Sequence, residues 1–431
     1  MDPTTIFSVM AVGLLALFLL GVPIYAAFLI CNLAALFALI GPPGIGLFVN
    51  SIVTTATSSS LLVLPLFILM GEVLYRANAI DALIDSVDKL IGRLRGRQYV
   101  LSIIVSTILA ALSGSAMGSS AMLSRTIYPT MHARGYDRGM TLSVIMGGAC
   151  LAPIIPPSVL AIIVAMIAQI SVKDLFIAGI VPGVLISAML LCYIFIRIFL
   201  NPALAPADAD YVRPTWRQVF RAILNLLPFT LVIGAVIGSI VLGIATPNES
   251  AVAGVLGSLV VAAIFRRLTF RLLVEAFQST TSITAMVMAI MLSSQLFSQL
   301  LAFSGAGAAI SSFVNSVSLS PSMMMFIMMA IPFVICMVLD EIAAMLILVP
   351  IYAPLLGIFG FDPVWFWTIF LINITLGGIV PPVGYVLFVM QGVIRNIKLT
   401  ELYNASIPIV FIFVLSMMAL VAFPQLVMYW I

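Results

Sequence analysis

Long apolar stretches separated by short polar segments run through the whole chain. Most of them match the ~20 residues that an α-helix needs to cross the hydrocarbon core of a bilayer. A transmembrane β-barrel would instead show short segments of alternating hydrophobicity. The pattern therefore predicts an all-α polytopic membrane protein. The apolar stretches cover residues 5–20, 22–40, 61–76, 98–132, 139–170, 175–199, 224–243, 249–265, 272–303, 322–356, 364–393 and 404–430.

Two of these stretches are too long for a single crossing, and each has a polar interruption near its middle. Stretch 98–132 contains Ser113-Gly114-Ser115, and stretch 322–356 contains Leu339-Asp340-Glu341. We interpret each stretch as a re-entrant hairpin, in which two short helices meet at a polar tip inside the membrane. Non-helical backbone is tolerated at that depth where protein or water surrounds it.

The two hairpin regions also resemble each other in sequence. When the chain is shifted against itself by 225 positions, residues 113–164 lie over residues 338–389 with nine identities in 52 pairs. Many identities are Gly, Pro or Asp, which determine backbone geometry more than they fill space. Duplicated, broken hydrophobic segments in corresponding halves indicate a transporter's binding site. The identical pairs are Leu123/Leu348, Pro129/Pro354, Gly135/Gly360, Asp137/Asp362, Leu151/Leu376, Ile154/Ile379, Pro156/Pro381, Pro157/Pro382 and Val164/Val389.

The positions of the charged residues determine the orientation. The chain is 63% hydrophobic and only 8% charged, too little charge for a soluble surface. With both hairpins non-crossing and the N-terminus outside, all 18 Lys and Arg residues except Lys173 lie on the inner side, as the positive-inside rule requires. The inner set is Arg76, Lys89, Arg93, Arg95, Arg97, Arg125, Arg134, Arg138, Arg197, Arg213, Arg217, Arg221, Arg266, Arg267, Arg271, Arg395 and Lys398.

An odd number of predicted crossings separates the two hairpins, so they enter the membrane from opposite sides. This predicts an inverted-topology repeat with two re-entrant hairpins and two broken helices. The predicted parts are a first repeat 1–200 (hairpin 98–132, broken helix 139–170), a cytoplasmic linker 201–222 and a second repeat 223–431 (hairpin 322–356, broken helix 364–393).

Each broken helix contains glycines followed by adjacent prolines. Residues 147–158 read Gly-Gly-Ala-Cys-Leu-Ala-Pro-Ile-Ile-Pro-Pro-Ser, and residues 377–384 read Gly-Gly-Ile-Val-Pro-Pro-Val-Gly. Adjacent prolines remove two N–H donors, so carbonyls one turn earlier lose their partners. Such carbonyls and a polar hairpin tip are suitable Na⁺ ligands. The predicted ligands are Ser113, Gly114, Ser115, Gly148, Ala152 and Pro156 at a first site, and Leu339, Asp340, Gly377, Gly378 and Val380 at a second.

The helices that start after the two proline pairs direct positive dipole ends into the same region, which suits an anionic substrate. The alternative is a pair of proline kinks repaired by neighbouring groups, but the matched positions in two inverted repeats argue against it. The predicted substrate-binding residues are Ser115, Pro157, Ser158, Asp340, Pro382 and Gly384.

Three acidic residues have competing interpretations. Asp340 and Glu341 are adjacent carboxylates within an apolar stretch, so they are candidates for cation coordination or proton coupling. Simple exposure at a wet hairpin tip is the alternative. Glu249 follows Thr246-Pro-Asn at a helix start, and we interpret it as an N-terminal cap.

Several chemistries lack support in the sequence. No Gly is followed by Lys, so the chain has no P-loop. His132 is the only histidine, which excludes a multi-histidine metal site. We find no catalytic constellation and predict that the chain is not an enzyme and needs no cofactor. The arginine clusters are membrane anchors rather than a nucleic-acid site.

Seven short motifs occur in order along the chain. They are Pro65-Leu-Phe-Ile-Leu-Met-Gly-Glu, Ser113-Gly-Ser-Ala, Gly135-Tyr-Asp, Ile155-Pro-Pro-Ser, Thr246-Pro-Asn-Glu, Leu339-Asp-Glu-Ile-Ala and Val380-Pro-Pro-Val-Gly. Together they resemble the large transmembrane subunit of a tripartite ATP-independent periplasmic (TRAP) transporter, the DctM-like family. The family pattern often has Asp where Ser119 stands and Thr where Val380 stands. Val380 offers only its carbonyl, and Thr375 is the hydroxyl nearby in sequence.

The resemblance implies an elevator-type secondary transporter in which Na⁺ is the coupling ion. A transport domain of two hairpins and two broken helices would move against a fixed scaffold. A small four-helix membrane subunit and a periplasmic substrate-binding protein are the implied partners. The implied substrate is an organic acid, such as a dicarboxylate, a sialic acid or a sugar acid. The implied location is the inner membrane of a bacterium or archaeon, multi-pass, with both termini in the periplasm.

Two alternatives use a similar membrane fold. A stand-alone Na⁺-coupled carboxylate transporter would work without the two partners. A channel would usually assemble its pore from identical subunits around an axis. Hairpins that enter from opposite sides favour alternating access over a channel.

Overall fold

Helices account for all the regular structure that the computed structural model describes, which confirms the all-α prediction. The structure describes residues 9–431 apart from 11, 15, 19, 78, 207–212, 306–319 and 430. Parts of the first apolar stretch and of the linker therefore lie outside the described residues. The helices are α1 (Ile24–Leu39), α2 (Ile45–Ala56), α3 (Val63–Arg76), α4 (Ala79–Ile91), α5 (Arg97–Ser113), α6 (Ala116–Ala133), α7 (Arg138–Ala149), α8 (Val159–Ile167), α9 (Val172–Leu200), α10 (Trp216–Val241), α11 (Pro247–Ile264), α12 (Phe270–Phe303), α13 (Pro321–Ile335), α14 (Glu341–Phe359), α15 (Pro363–Gly377), α16 (Tyr385–Val393), α17 (Leu399–Ala422) and α18 (Gln425–Met428).

Each of the two long apolar stretches forms two helices joined by a short turn. Helix α5 ends at Ser113, and the next residue, Gly114, has a left-handed φ of 58° that glycine adopts easily. Ser115 then caps α6 by accepting a hydrogen bond from the Gly118 N–H. In the second stretch the turn after α13 leads to Asp340, which caps α14. The polar interruptions in the sequence are therefore the turns between paired helices.

The two repeats share local geometry at matched positions. Gly135 and Gly360 have φ values of 75° and 67°. Asp137 and Asp362 follow two residues later, and each caps the next helix with its Oδ1 atom. The Pro–Pro peptide bonds of the two breaks, 156–157 and 381–382, are both cis. Residues that determine backbone geometry thus produce the same local fold twice.

The paired helices and the broken helices pack into one buried cluster. Both α5 and α6 contact α7, and both α13 and α14 contact α15. The halves also cross over, because α6 contacts α16 and α14 contacts α8. Each pair of helices therefore contacts the helix that precedes the break in its own half. One helix of each pair also contacts the helix that follows the break in the other half.

The linker between the halves is bound to the first pair of helices. The Tyr99 hydroxyl and the Asp137 N–H both donate to the Leu204 carbonyl, at 2.9 and 3.1 Å. Arg95 Nη2 donates to the Pro202 carbonyl at 2.7 Å. Helix α10 begins at Trp216, inside the predicted linker 201–222, because the Gln218 Oε1 atom accepts the Thr215 N–H and caps the helix.

Six described helices are long and apolar enough to cross a membrane, which supports a multi-pass membrane protein. Helix α14, an arm of the second predicted hairpin, is one of them by length and composition. The cap predicted for Glu249 is confirmed, since its Oε2 accepts the Thr246 N–H at 2.8 Å. The six helices are α9, α10, α11, α12, α14 and α17.

Candidate functional site

The first hairpin tip contacts the first break through backbone atoms. A Cβ atom on Gly114 would lie 3.0 Å from the Val159 nitrogen and 3.3 Å from the Pro157 carbonyl oxygen. A larger residue would need these backbone atoms to move by a few tenths of an ångström, and the left-handed φ of Gly114 also favours glycine. The start of α6 therefore lies beside the start of α8, and Ser115 and Pro157 belong to one region. The Ser113 hydroxyl, a predicted ligand, lies outside the described part of the structure.

Three predicted ligands of the first site lie in or before the break. Gly148 packs against Ser106 of α5, since a Cβ on Gly148 would be 2.3 Å from the Ser106 Oγ atom. Its carbonyl accepts the Leu151 N–H at 3.2 Å. The carbonyls of Ala152 and Pro156 accept no hydrogen bond from the described residues. These two carbonyls are thus better placed than Gly148 to bind a cation.

Ser158 organises the first break internally. Its Oγ atom donates to the Pro153 carbonyl at 2.6 Å and accepts the Ala161 N–H at 3.2 Å. The side chain is fully buried. The hydroxyl therefore closes the turn and caps α8. Its hydrogen is already donated to the Pro153 carbonyl and is not free to bind a substrate.

The second hairpin tip carries two carboxylates with different roles. The Asp340 Oδ1 atom accepts the N–H groups of Ile342 and Ala343, at 2.6 and 2.9 Å. Glu341 is buried and accepts a hydrogen bond from the Tyr385 hydroxyl of α16. Asp340 thus caps its own helix, whereas Glu341 joins the tip to the second break.

The tip lies directly on the second break. A Cβ on Gly377 would be 2.0 Å from the Cβ of Cys336, and the Val383 N–H donates to the Met337 carbonyl at 3.3 Å. The Gly378 carbonyl accepts the Val386 N–H at 2.9 Å. The structure therefore brings the tip and the glycine pair of the break together.

The remaining predicted residues of the second site differ in how their oxygens are used. The Val380 carbonyl accepts no hydrogen bond from the described residues. The Pro382 carbonyl accepts the Tyr403 hydroxyl at 2.7 Å, and Gly384, with φ 47°, precedes α16. The Thr375 hydroxyl donates to Leu371 within its own helix. Among the residues predicted for the site in this break, Val380 is therefore the one whose carbonyl has no hydrogen-bond donor in the described part of the chain.

A cavity of about 390 Å³ opens beside the second tip. Leu339 and Asp340 form one wall, the turn 21–23 and the start of α1 form another, and Met286 and Ile290 of α12 close it. Asp340 is the acidic residue in this wall. A solute in the cavity would therefore meet the second tip directly.

Sequence reasoning missed Tyr385 as a site residue. A tyrosine that directly follows the Pro-Pro-Val-Gly break was the available signal. Its partner Glu341 lies 44 positions earlier in the chain, and the pairing depends on how the tip packs on the break.

Comparison with known proteins identifies the family of this chain. A family model described as "Tripartite ATP-independent periplasmic transporter, DctM component" matches residues 11–426. The chain belongs to this family. The resemblance predicted from the seven motifs is therefore confirmed, and the chain is a TRAP transporter large permease subunit.

Two relatives match this TRAP large permease over nearly their full length. The 2,3-diketo-L-gulonate TRAP transporter large permease protein YiaN of Escherichia coli is 30% identical over 95% of each chain. The ectoine TRAP transporter large permease protein TeaC of Halomonas elongata is 28% identical over 98% of each chain. The relatives are permeases, which agrees with the expectation that the chain is not an enzyme.

Two solved structures have a similar fold. The YdaH transporter of Alcanivorax borkumensis superposes with a TM-score of 0.66 over 90% of this chain and 91% of its own, at 13% identity. MtrF of Neisseria gonorrhoeae superposes with a TM-score of 0.58 over 89% of this chain and 84% of its own, at 15% identity. At these low sequence identities, the similarity supports only the fold of the TRAP large permease and says nothing about its function.

Proposed function

We propose that the chain imports an organic acid across the inner membrane, driven by a Na⁺ gradient, with its substrate delivered by a periplasmic binding protein. A small four-helix membrane subunit completes the transporter. The observation that carries the proposal is the pair of hairpin tips, each packed on a proline break, in a chain of the TRAP large permease family.

The two breaks supply oxygen ligands for Na⁺. Ala152 and Pro156 in the first break and Val380 in the second have carbonyls without partners among the described residues. Unpaired carbonyls inside a membrane protein need a protein, water or ion partner, and unwound transporter helices use theirs to coordinate Na⁺. Ser115 and Asp340, the matched tip residues, would complete the two oxygen shells.

Helix N-termini support an anionic substrate. The starts of α6 and α8 lie side by side, as the Gly114 contact requires. The starts of α14 and α16 are joined by the hydrogen bond between Glu341 and Tyr385. Each N-terminus carries partial positive charge, so these four ends favour a carboxylate between them. A dicarboxylate, a sialic acid or a sugar acid fits this requirement.

The proposed movement is that of an elevator. The transport domain would contain α5–α8 and α13–α16, which pack on one another across the two halves. The halves would be the inverted repeats 1–200 and 223–431, joined by the linker 201–222. The shared geometry of the matched glycines, aspartates and prolines supports this division.

The proposal is tested by uptake of a panel of organic acids into proteoliposomes that contain this chain, the small subunit and the binding protein. We expect uptake by the complete complex. When the binding protein is omitted, we expect the uptake rate to fall at least about tenfold, which corresponds to about 1.4 kcal/mol in the barrier to transport. Undiminished uptake without the binding protein would instead favour a stand-alone carrier. Passive flux that ignores the Na⁺ gradient would support a channel.

A further inference from the structure

Glu341 is a buried acid whose polar partner is a tyrosine. Only 6% of the residue is exposed, and Tyr385 of α16 donates its hydroxyl hydrogen to the Oε2 atom. None of the ion pairs between described residues involves Glu341. Hydrogen bonds in such surroundings are strong, and their loss leaves a buried polar group unsatisfied. The bond between tip and break is therefore a substantial contact.

The Tyr385 ring packs directly against a glycine. A Cβ on Gly378 would lie 2.4 Å from the ring Cζ atom and 2.6 Å from the hydroxyl oxygen. The Gly378 carbonyl also accepts the Val386 N–H at 2.9 Å, one residue after the tyrosine. The absent side chain lets the ring lie over the break, from which its hydroxyl reaches the hairpin tip.

The first repeat cannot form this bond at the matched positions. Under the shift of 225 positions, Ala116 corresponds to Glu341 and Leu160 corresponds to Tyr385. The first tip contacts its break through the backbone at Gly114 instead. The polar pair at these matched positions thus belongs to the second repeat.

We propose that the hydrogen bond between Glu341 and Tyr385 is a latch that holds the second hairpin tip on the second broken helix. The latch positions Asp340 relative to the Val380 carbonyl, the two halves of the candidate second cation site. This consequence for the cation site rests on the proposed function, whereas the latch itself does not. Glu341 and Tyr385 act as positioning residues.

Hydrogen–deuterium exchange of the full chain in lipid nanodiscs, in KCl without Na⁺, tests the latch. The reporters are the amides of Ile342 and Ala343, which bond to Asp340 at the tip. Tyr385→Phe removes the donor and keeps the ring, and Glu341→Ala removes the acceptor. Both are expected to speed exchange of the reporters about fivefold, the effect of losing one typical hydrogen bond.

Two further variants separate the latch from a general loss of structure. Glu341→Gln retains an acceptor oxygen, so its reporter amides are expected to exchange at nearly the wild-type rate. Tyr403→Phe removes another tyrosine hydrogen bond to the same break. That bond is donated by α17 and does not involve the hairpin. This variant is expected to leave the reporters unchanged. Wild-type exchange in both Tyr385→Phe and Glu341→Ala, or Glu341→Gln as fast as Glu341→Ala, would overturn the latch.

The consequence for the cation site is tested by thermal unfolding in NaCl compared with KCl at constant ionic strength. An ion that binds only the folded state stabilises it by RT ln(1 + [Na⁺]/Kd), so the Na⁺ dependence of Tm gives an apparent Kd. Tyr385→Phe is expected to raise that Kd about fivefold. Faster exchange with an unchanged apparent Kd for Na⁺ would refute the positioning role. A wild type indifferent to Na⁺ would refute the proposed coupling ion, and the exchange rates would still decide the latch.

Discussion

At the scale of the residue, matched positions of the two halves perform the same structural task with different chemistry. Ser115 and Asp340 both cap the second arm of a hairpin, but only Asp340 adds a charge to the wall of a cavity. The polar interruptions in the sequence were enough to predict both tips. The partner of Glu341 was not predictable, because Tyr385 reaches it through tertiary packing.

Asp340 allows its structural role to be separated from its charge. Asparagine caps a helix about as well as aspartate, so Asp340→Asn is expected to change the free energy of unfolding by less than ~0.5 kcal/mol, whereas Asp340→Ala loses the cap at a cost of ~1 kcal/mol. We expect Asp340→Asn nevertheless to raise the Na⁺ concentration for half-maximal uptake about tenfold, since a charged ligand is lost.

Asp362→Asn is the matched control for this change. Asp362 also caps its helix, α15, and accepts the Trp365 N–H at 3.0 Å, but it lies outside the predicted site. Its Na⁺ requirement should remain that of the wild type. An equal effect of both substitutions on Na⁺ dependence would remove Asp340 from the proposed cation site.

At the scale of the element, the turns between paired helices and the breaks were predictable because proline, glycine and apolar length leave few alternatives. Helix α4 was not predicted. It is amphipathic, because Leu83 and Val87 are buried while Asp85 and Asp88 are not. Its charged face interrupts the run of apolar residues, so the helix does not form a long apolar stretch. The close approach of helices at Gly377 could not be predicted from the sequence either, because it depends on the position of Cys336 in the folded structure.

Gly377 tests that close approach. Alanine at this position would place a methyl group 2.0 Å from the Cys336 Cβ atom, so Gly377→Ala is expected to destabilise the protein by ~1–3 kcal/mol through overpacking. Because the tip must also shift, Na⁺-dependent uptake should fall. Gly357→Ala is the control. Gly357 lies in α14, a Cβ atom added there has no neighbouring atom within 4 Å, and alanine favours a helix. Equal thermal stability of the two variants would show that the tip yields freely.

At the scale of the whole molecule, the distribution of lysine and arginine was the strongest guide to orientation. The family match over residues 11–426 then identifies the kind of transporter. Neither the substrate nor the partners follow from this chain's pattern of residues, because the delivering protein and the small subunit are separate molecules in the proposed complex. The inverted arrangement accordingly stays a prediction with its own test.

Single cysteines test the orientation in a background without the native cysteines. Lys173→Cys is expected to react with a membrane-impermeant maleimide added outside intact cells, because Lys173 is the basic residue assigned to the outer side. Arg266→Cys should react only after permeabilisation, since it follows α11 on the predicted inner side. Labelling of both positions from one side would contradict the inverted repeat.

In the proposed mechanism a Na⁺ gradient drives accumulation of the solute, and a concentration ratio is its most direct test. Proteoliposomes with all three components would take up an organic acid identified by the uptake panel, first with Na⁺ outside only and then with equal Na⁺ on both sides. We predict that the internal concentration rises above the external one under the gradient and only equals it when Na⁺ is balanced. Accumulation that persists with balanced Na⁺, or a ratio that never exceeds one, would contradict the account.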